Sequence, residues 1–126
     1  MSRLLSSRAV IVNALEAADV NVATTGKWSA PVVLVEAGDP WAAVDLSLGR
    51  KRVGRWRLTA VAGRADTAGI VEKLAELVDE VDRALLTVPG VQLPTWNRPF
   101  GGVLDGTTYA ATTATIQAMT EEDQTP

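Results

Sequence analysis

Two alternating runs in the middle of the chain constrain its fold most. From Ala42 to Leu48, the apolar Ala42, Val44, Leu46 and Leu48 are interleaved with Asp45 and Ser47. From Arg55 to Ala62, Trp56, Leu58, Ala60 and Ala62 alternate with Arg55, Arg57 and Thr59. Successive side chains of a strand point to opposite faces, so each run predicts a strand with one face buried. The segment between them, Gly49-Arg50-Lys51-Arg52-Val53-Gly54, has a glycine at each end to supply the positive φ of a turn. The expectation is a β-hairpin, strands 42–48 and 55–62, with a protruding six-residue basic loop.

The flanking segments supply the other elements. Leu4, Ile11, Leu15 and Ala18, widened by Leu5 and Val12, form an apolar stripe and predict a helix over 3–18, with Ser2 as N-cap and Asp19 and Asn21 at its exit. Pro31-Val32-Val33-Leu34-Val35-Glu36 reads as a buried strand over 31–36, closed by a turn at Gly38-Asp39-Pro40. Ile70, Leu74, Leu77, Val78, Val81 and Leu85 keep the 3.6-residue period and predict a helix over 67–87, capped by Asp66 or Thr67 and ended by Pro89-Gly90. Residues 89–106 read as a long Pro/Gly-rich loop, 107–119 as a closing strand and 120–126 as a disordered acidic tail. Helix, strand, hairpin, helix, strand in that order predicts one α+β domain over 1–119. Its sheet is antiparallel or mixed, with both helices on one face. Leu15, Leu34, Leu46, Leu58, Leu74 and Val78 are the expected core, and the register predicts Leu58 buried and Arg57 in solvent.

Composition narrows the chemistry. The chain has no Cys and no His, which excludes disulfide scaffolds, thiol nucleophiles, Ser-His-Asp triads and zinc sites built on imidazole or thiolate. Glu36, Asp39 and Asp45 invite a metal-dependent nuclease reading, but the Glu-x-Lys that such hairpins carry is missing after Asp45. The glycines at 49 and 54 lack the Gly-Lys-Ser/Thr ending of a phosphate loop and precede a strand rather than a helix. No enzyme activity, cofactor or metal is expected. No apolar run has the roughly 20 residues a membrane span needs, and Arg8 and Asn13 interrupt the N-terminal stretch where a signal peptide would be apolar, so neither is expected.

What remains points to surfaces. Arg50, Lys51, Arg52, Arg55, Arg57 and Arg64 are six of the twelve basic residues of a chain whose net charge is -3. Nucleic acid, an acidic protein surface or plain solvation each accounts for such a cluster. The helix over 67–87 carries Glu72, Glu76, Asp79, Glu80 and Asp82, which read either as a solvated face or as an acidic docking face. Trp56 falls at an inward strand position. Trp28, Trp41 and Trp96 fall in loops or at strand starts, where they serve as lids over the core or as interface anchors. In the loop 89–106, Trp96, Arg98 and Phe100 form an expected interaction surface, the alternative being that Trp96 folds back and seals the core.

Taken together, the initial amphipathic helix, Trp28-x-x-Pro31-Val-Val-Leu-Val, Gly49-Arg-Lys-Arg-Val-Gly-Arg-Trp-Arg-Leu58, the amphipathic helix, the Trp96 loop and Asp105-Gly-Thr-Thr-Tyr109 resemble the tail terminator (tail-tube capping, tail completion) proteins of long-tailed bacteriophages. The resemblance is one of order, length and local character over nearly the whole chain. It implies a virion structural protein at the head–tail junction, made in the host cytoplasm. It also implies a homohexameric ring that stops tail-tube polymerisation, with DNA passing through its lumen without sequence-specific binding. Its partners would be other copies of itself, the major tail tube protein and the head–tail connector or head-closure protein. Arg50, Lys51, Arg52, Arg55, Arg57, Glu76, Asp79, Glu80, Trp96, Arg98 and Phe100 are then the expected docking residues. A neighbouring connector protein of similar size, or a small nucleic-acid-binding module using the basic hairpin, are the alternatives.

Overall fold

The structure, a computed structural model, describes residues 2–45 and 51–119. The elements are α1 (Arg3–Ala17), β1 (Val22–Ala23), β2 (Val32–Asp45), β3 (Lys51–Arg64), α2 (Ile70–Leu85), β4 (Phe100–Leu104) and β5 (Thr107–Ala118). The five strands form one mixed sheet in the order β1-β2-β3-β5-β4, in which β1 runs parallel to β2 and all other neighbours are antiparallel. This is an α+β domain.

Both helices pack on the same face of the sheet. Ile11 and Leu15 of α1 and Leu74, Leu77, Val81 and Leu85 of α2 meet Val33, Val35, Trp56, Leu58, Ala60 and Ile116 in the main core. Each fully buried aliphatic side chain there contributes roughly 1.5–3 kcal/mol by leaving water. The expected register holds: Leu58 is buried and Arg57 is exposed. Leu15 and Leu74 join Leu58 in this core, and Val78 packs partly buried against it. Leu34 does not. Strand alternation sends Val33 and Val35 toward the helices, so Leu34 turns to the opposite face, beside a small cluster of Val32, Val61 and Ala111. Leu46 lies outside the described residues.

The helix ends show why the chain turns where it does. Ser2 Oγ accepts from Leu5 N–H at 3.4 Å and caps α1. At the exit Asp19 adopts φ 61°, Val20 N–H donates to the Leu15 carbonyl and Asp19 N–H to that of Glu16. That is a Schellman motif, with Leu15 and Val20 both buried as its apolar contact. The second helix starts later than the pattern suggests. Thr67 accepts from Ile70 N–H in a preceding turn, and Gly69, at φ 71°, takes the N-cap position without a side-chain cap. Asp66 instead pairs with Arg64 at 3.3 Å.

Two sequence expectations are corrected in the strands. Gly38-Asp39-Pro40 does not end a strand: residues 31–36 and 42–48 were expected as separate strands, yet β2 runs unbroken from Val32 to Asp45 with a bulge. Ala37 pairs with Trp56 and Ala42 with Gly54, so 38–41 bow out opposite Arg55 alone. Gly38 allows this because a Cβ there would sit 2.8 Å from the Arg55 carbonyl oxygen. Likewise, β3 begins at Lys51, so Lys51, Arg52, Val53 and Gly54 pair with β2 and are not loop residues. Val53 and Gly54 are buried, which a loop position would not require. Gly49 and Arg50, residues 46–48 of the expected strand and the expected tail 120–126 lie outside the described residues.

The third correction concerns 89–106. Phe100–Leu104 is a strand, joined to β5 by Asp105 (φ 50°) and Gly106 (φ 78°). Two positive φ values in a two-residue loop make a type I′ hairpin. The segment before it runs along the same edge of β5: Val91 bridges Ala118, Gln92 N–H donates to the Gln117 carbonyl, and Asn97 N–H donates to that of Thr113.

Candidate interaction surfaces

The two-layer fold separates the charged residues. Arg55 and Arg57 face away from the helices, because their partners across the register, Gln117 and Thr115, alternate with the core-facing Ala118, Ile116 and Ala114. Arg57 donates to Glu36 on the neighbouring strand at 3.2 Å. Both side chains of that pair are about half exposed, so it adds at most about 1 kcal/mol. Arg55 Nε is buried without a hydrogen-bond partner among the described residues. On the outer side of the other layer, Glu72, Glu76, Asp79 and Glu80 are exposed, since Ile70, Leu74, Leu77, Val81 and Leu85 commit the opposite face of α2 to the core. The basic and acidic positions thus lie on opposite sides of the subunit. Arg55 and Arg57 therefore cannot pair with the carboxylates of α2 within one chain, and their complementarity is available only between copies. Lys51 and Arg52 belong to β3, and Arg50 lies outside the described residues.

The four tryptophans have distinct roles. Trp56 is buried and donates from Nε1 to Ser7 Oγ at 2.9 Å, while Ser7 donates to the Leu4 carbonyl at 2.6 Å. Arg8 lies over the same indole, 5.7 Å from its centroid. This ties α1 to β3, and Gly54 makes room for it: a Cβ there would collide with Ser7 Oγ and come within 2.8 Å of Trp56 Nε1. The β2 bulge sets Trp41 edge-on to Trp56 at 5.8 Å, where it stays 44% exposed. Trp28 meets Tyr109 edge-on at 5.3 Å and covers the small cluster on the other face. Trp96 packs partly buried against the main core, and its Nε1 donates to Asp82 Oδ1 at 2.9 Å.

Trp96 is therefore a lid between α2 and the edge of β5, and the core-sealing alternative describes it. Arg98 is exposed just beyond it, and Phe100 opens β4 with 46% of its surface exposed. Of the three, Trp96 turns inward, while Arg98 and Phe100 are exposed, Phe100 at the start of the edge strand β4. Sequence reasoning missed Val103 and Leu104, which are 71% and 45% exposed on that edge. The signal was Asp105-Gly106 between Val103-Leu104 and Thr107-Thr108-Tyr109, the usual mark of a two-residue hairpin.

Of the carboxylates weighed for metal chemistry, Glu36 is engaged with Arg57, and among the described residues no group of three or more Asp or Glu is placed to hold a metal ion. No helix among the described residues is long and apolar enough to cross a membrane. No protein-family model matches the chain, and no curated protein is significantly similar to it.

Proposed function

We propose that the chain is a phage virion structural protein, a tail terminator subunit that forms a ring on the tail tube, stops its polymerisation and joins it to the head connector. The single observation that supports the reading is the placement of charge on opposite sides of a two-layer subunit, Arg55 and Arg57 on the open sheet face and Glu76, Asp79 and Glu80 on the outer face of α2. Rings are built from heterologous contacts, in which one patch of a subunit meets a different patch of the next. Complementary patches that cannot meet within one chain suit that geometry. In this reading the protein is not an enzyme, needs no cofactor, and lets DNA pass without reading its sequence.

The test is a tube-assembly reaction. Polymerising tail tube protein is mixed with this chain, and tube lengths and end-caps are measured by electron microscopy. The expected result is capped tubes of limited length, loss of capping in an Arg57→Glu variant, and its recovery when Glu76, Asp79 and Glu80 are changed to Lys in a co-assembling copy. Uncapped tubes of unlimited length with the wild-type chain overturn the proposal. Affinity for duplex DNA that falls steeply with salt would replace it with the nucleic-acid-binding reading.

A further inference from the structure

We propose that β4 is a self-pairing edge, through which two copies of the free chain form a two-fold dimer with one continuous ten-stranded sheet. The argument begins with how a chain protects its sheet edges. On the far side, β1 covers only Val33 and Leu34 of β2, but the rest of β2 carries the bulge at 38–41 with Pro40 in it, and both features discourage strand addition. At the other end, Phe100-Gly101-Gly102-Val103-Leu104 has no charge, no proline and no bulge. It is the terminal strand of the sheet, and three of its five residues are large, apolar and exposed.

The hairpin register fixes which backbone groups face outward. Leu104 and Thr107 close a two-residue type I′ turn, and such a closing pair exchanges both hydrogen bonds. Alternation then directs Phe100, Gly102 and Leu104 to β5 and leaves the N–H and C=O of Gly101 and Val103 pointing away from the sheet. An antiparallel second copy can satisfy them only where outward residues stand opposite each other. Centring the two-fold axis on Gly102 does this. Gly101 of each copy then faces Val103 of the other, which makes four main-chain hydrogen bonds.

Side chains agree with that register. Gly102 meets its own counterpart at a non-hydrogen-bonded site, where Cα atoms approach to about 4.5 Å and a side chain would be crowded. Phe100 of each copy stands opposite Leu104 of the other, covering both exposed apolar groups with one cross-strand pair on each side of the axis. Charge is complementary at both ends. Arg98 is exposed and falls within one residue of Asp105 of the second copy, and neither has an ion-pair partner among the described residues. Because the contact is isologous it stops at two copies, so it is separate from the ring contact proposed above and does not rest on it. Five paired residues bury little area, so the dimer is a weak one, with a Kd in roughly the micromolar range.

The test uses the full chain alone. Sedimentation equilibrium from about 1 μM to 1 mM is combined with amide hydrogen exchange at both ends of that range. The expected result is a reversible monomer–dimer equilibrium in which exchange at Gly101 and Val103 slows with concentration while Gly102 does not change. Val103→Pro removes an outward N–H from each copy and none of the hairpin's own bonds; two of four hydrogen bonds are lost, which weakens association about 30-fold. Circular dichroism verifies that this variant is folded, and Asp105→Asn, which keeps the positive-φ preference of the turn, gives a second, smaller weakening. A chain that stays monomeric at 1 mM overturns the proposal. So does a dimer or six-copy species whose Gly101 and Val103 amides exchange at the same rate at both concentrations, since its contact lies elsewhere.

Discussion

Replacing Trp96 with Ala separates a structural lid from an interface anchor, and the structure sets the size of the effect. The indole lies partly buried against the main core, in the gap between α2 and the strand edge, and donates to Asp82 Oδ1 at 2.9 Å. A fully buried Trp→Ala change costs about 3–5 kcal/mol. Trp96 keeps part of its surface in water, so the packing loss falls to about 2–3 kcal/mol. Asp82 is itself only half-buried and regains water when the indole leaves, so the lost hydrogen bond adds only about 0.5–1 kcal/mol. The sum is about 3 kcal/mol, or roughly a 10 °C drop in Tm for a domain of this size. Urea titration followed by far-ultraviolet circular dichroism measures it, with Trp96→Phe as a companion that restores most of the apolar area and should lose only about 1 kcal/mol. An Ala variant within 0.5 kcal/mol of wild type would refute the lid, and would return Trp96 to the role of an interface anchor.

Two further outcomes follow from local geometry. Gly54→Ala should destabilise by about 1–3 kcal/mol, because its methyl group would collide with Ser7 Oγ and crowd Trp56 Nε1; a melt showing an unchanged Tm would mean α1 does not approach β3 this closely. Asp19→Gly should raise stability by about 0.5–1 kcal/mol by relieving a left-handed residue at the Schellman position of α1, read as a higher urea midpoint at unchanged slope.

How much of this was legible in the sequence depends on how local the deciding physics was. The core faces of α2 and β3 were readable, because alternation and the 3.6-residue period are properties of consecutive residues: Leu58 inward and Arg57 outward follow from counting. Gly38-Asp39-Pro40 misled for a specific reason. Gly and Pro punctuate a chain equally well at a turn and at a bulge, and what distinguishes the two here is the backbone of Arg55, seventeen residues further on, against which Gly38 packs. Gly54 misled in the same way: its small size serves a helix arriving from residue 7, not a turn in its own loop. Leu34 sat in an all-apolar run, where alternation gives no phase, and only pairing with β1 and β3 decides which face it takes.

The candidate surfaces follow the same division. The charges were visible as runs, but a run does not state on which layer of the fold it will lie. In sequence the basic cluster and the acidic helix are near neighbours, separated by a few residues after Arg64. The fold keeps them apart within one chain: Arg55 and Arg57 lie on the sheet face that carries no helix, and α2 turns its carboxylates away from that sheet. Any attraction between them must therefore act between molecules, at close range and through a desolvated contact, because charges in water are screened beyond about 8–10 Å at physiological salt. Complementary patches on opposite sides of one subunit favour head-to-tail contacts, whereas the uncharged β4 edge, with Gly102 at its centre, favours a two-fold one. The two proposed contacts use different residues, so charge reversal and edge blocking should affect them independently. Arg57→Glu should weaken any contact that uses the open face and leave exchange at Gly101 and Val103 unchanged, while Val103→Pro should do the reverse. Coupled loss of both in either variant would mean that one surface, not two, carries the association.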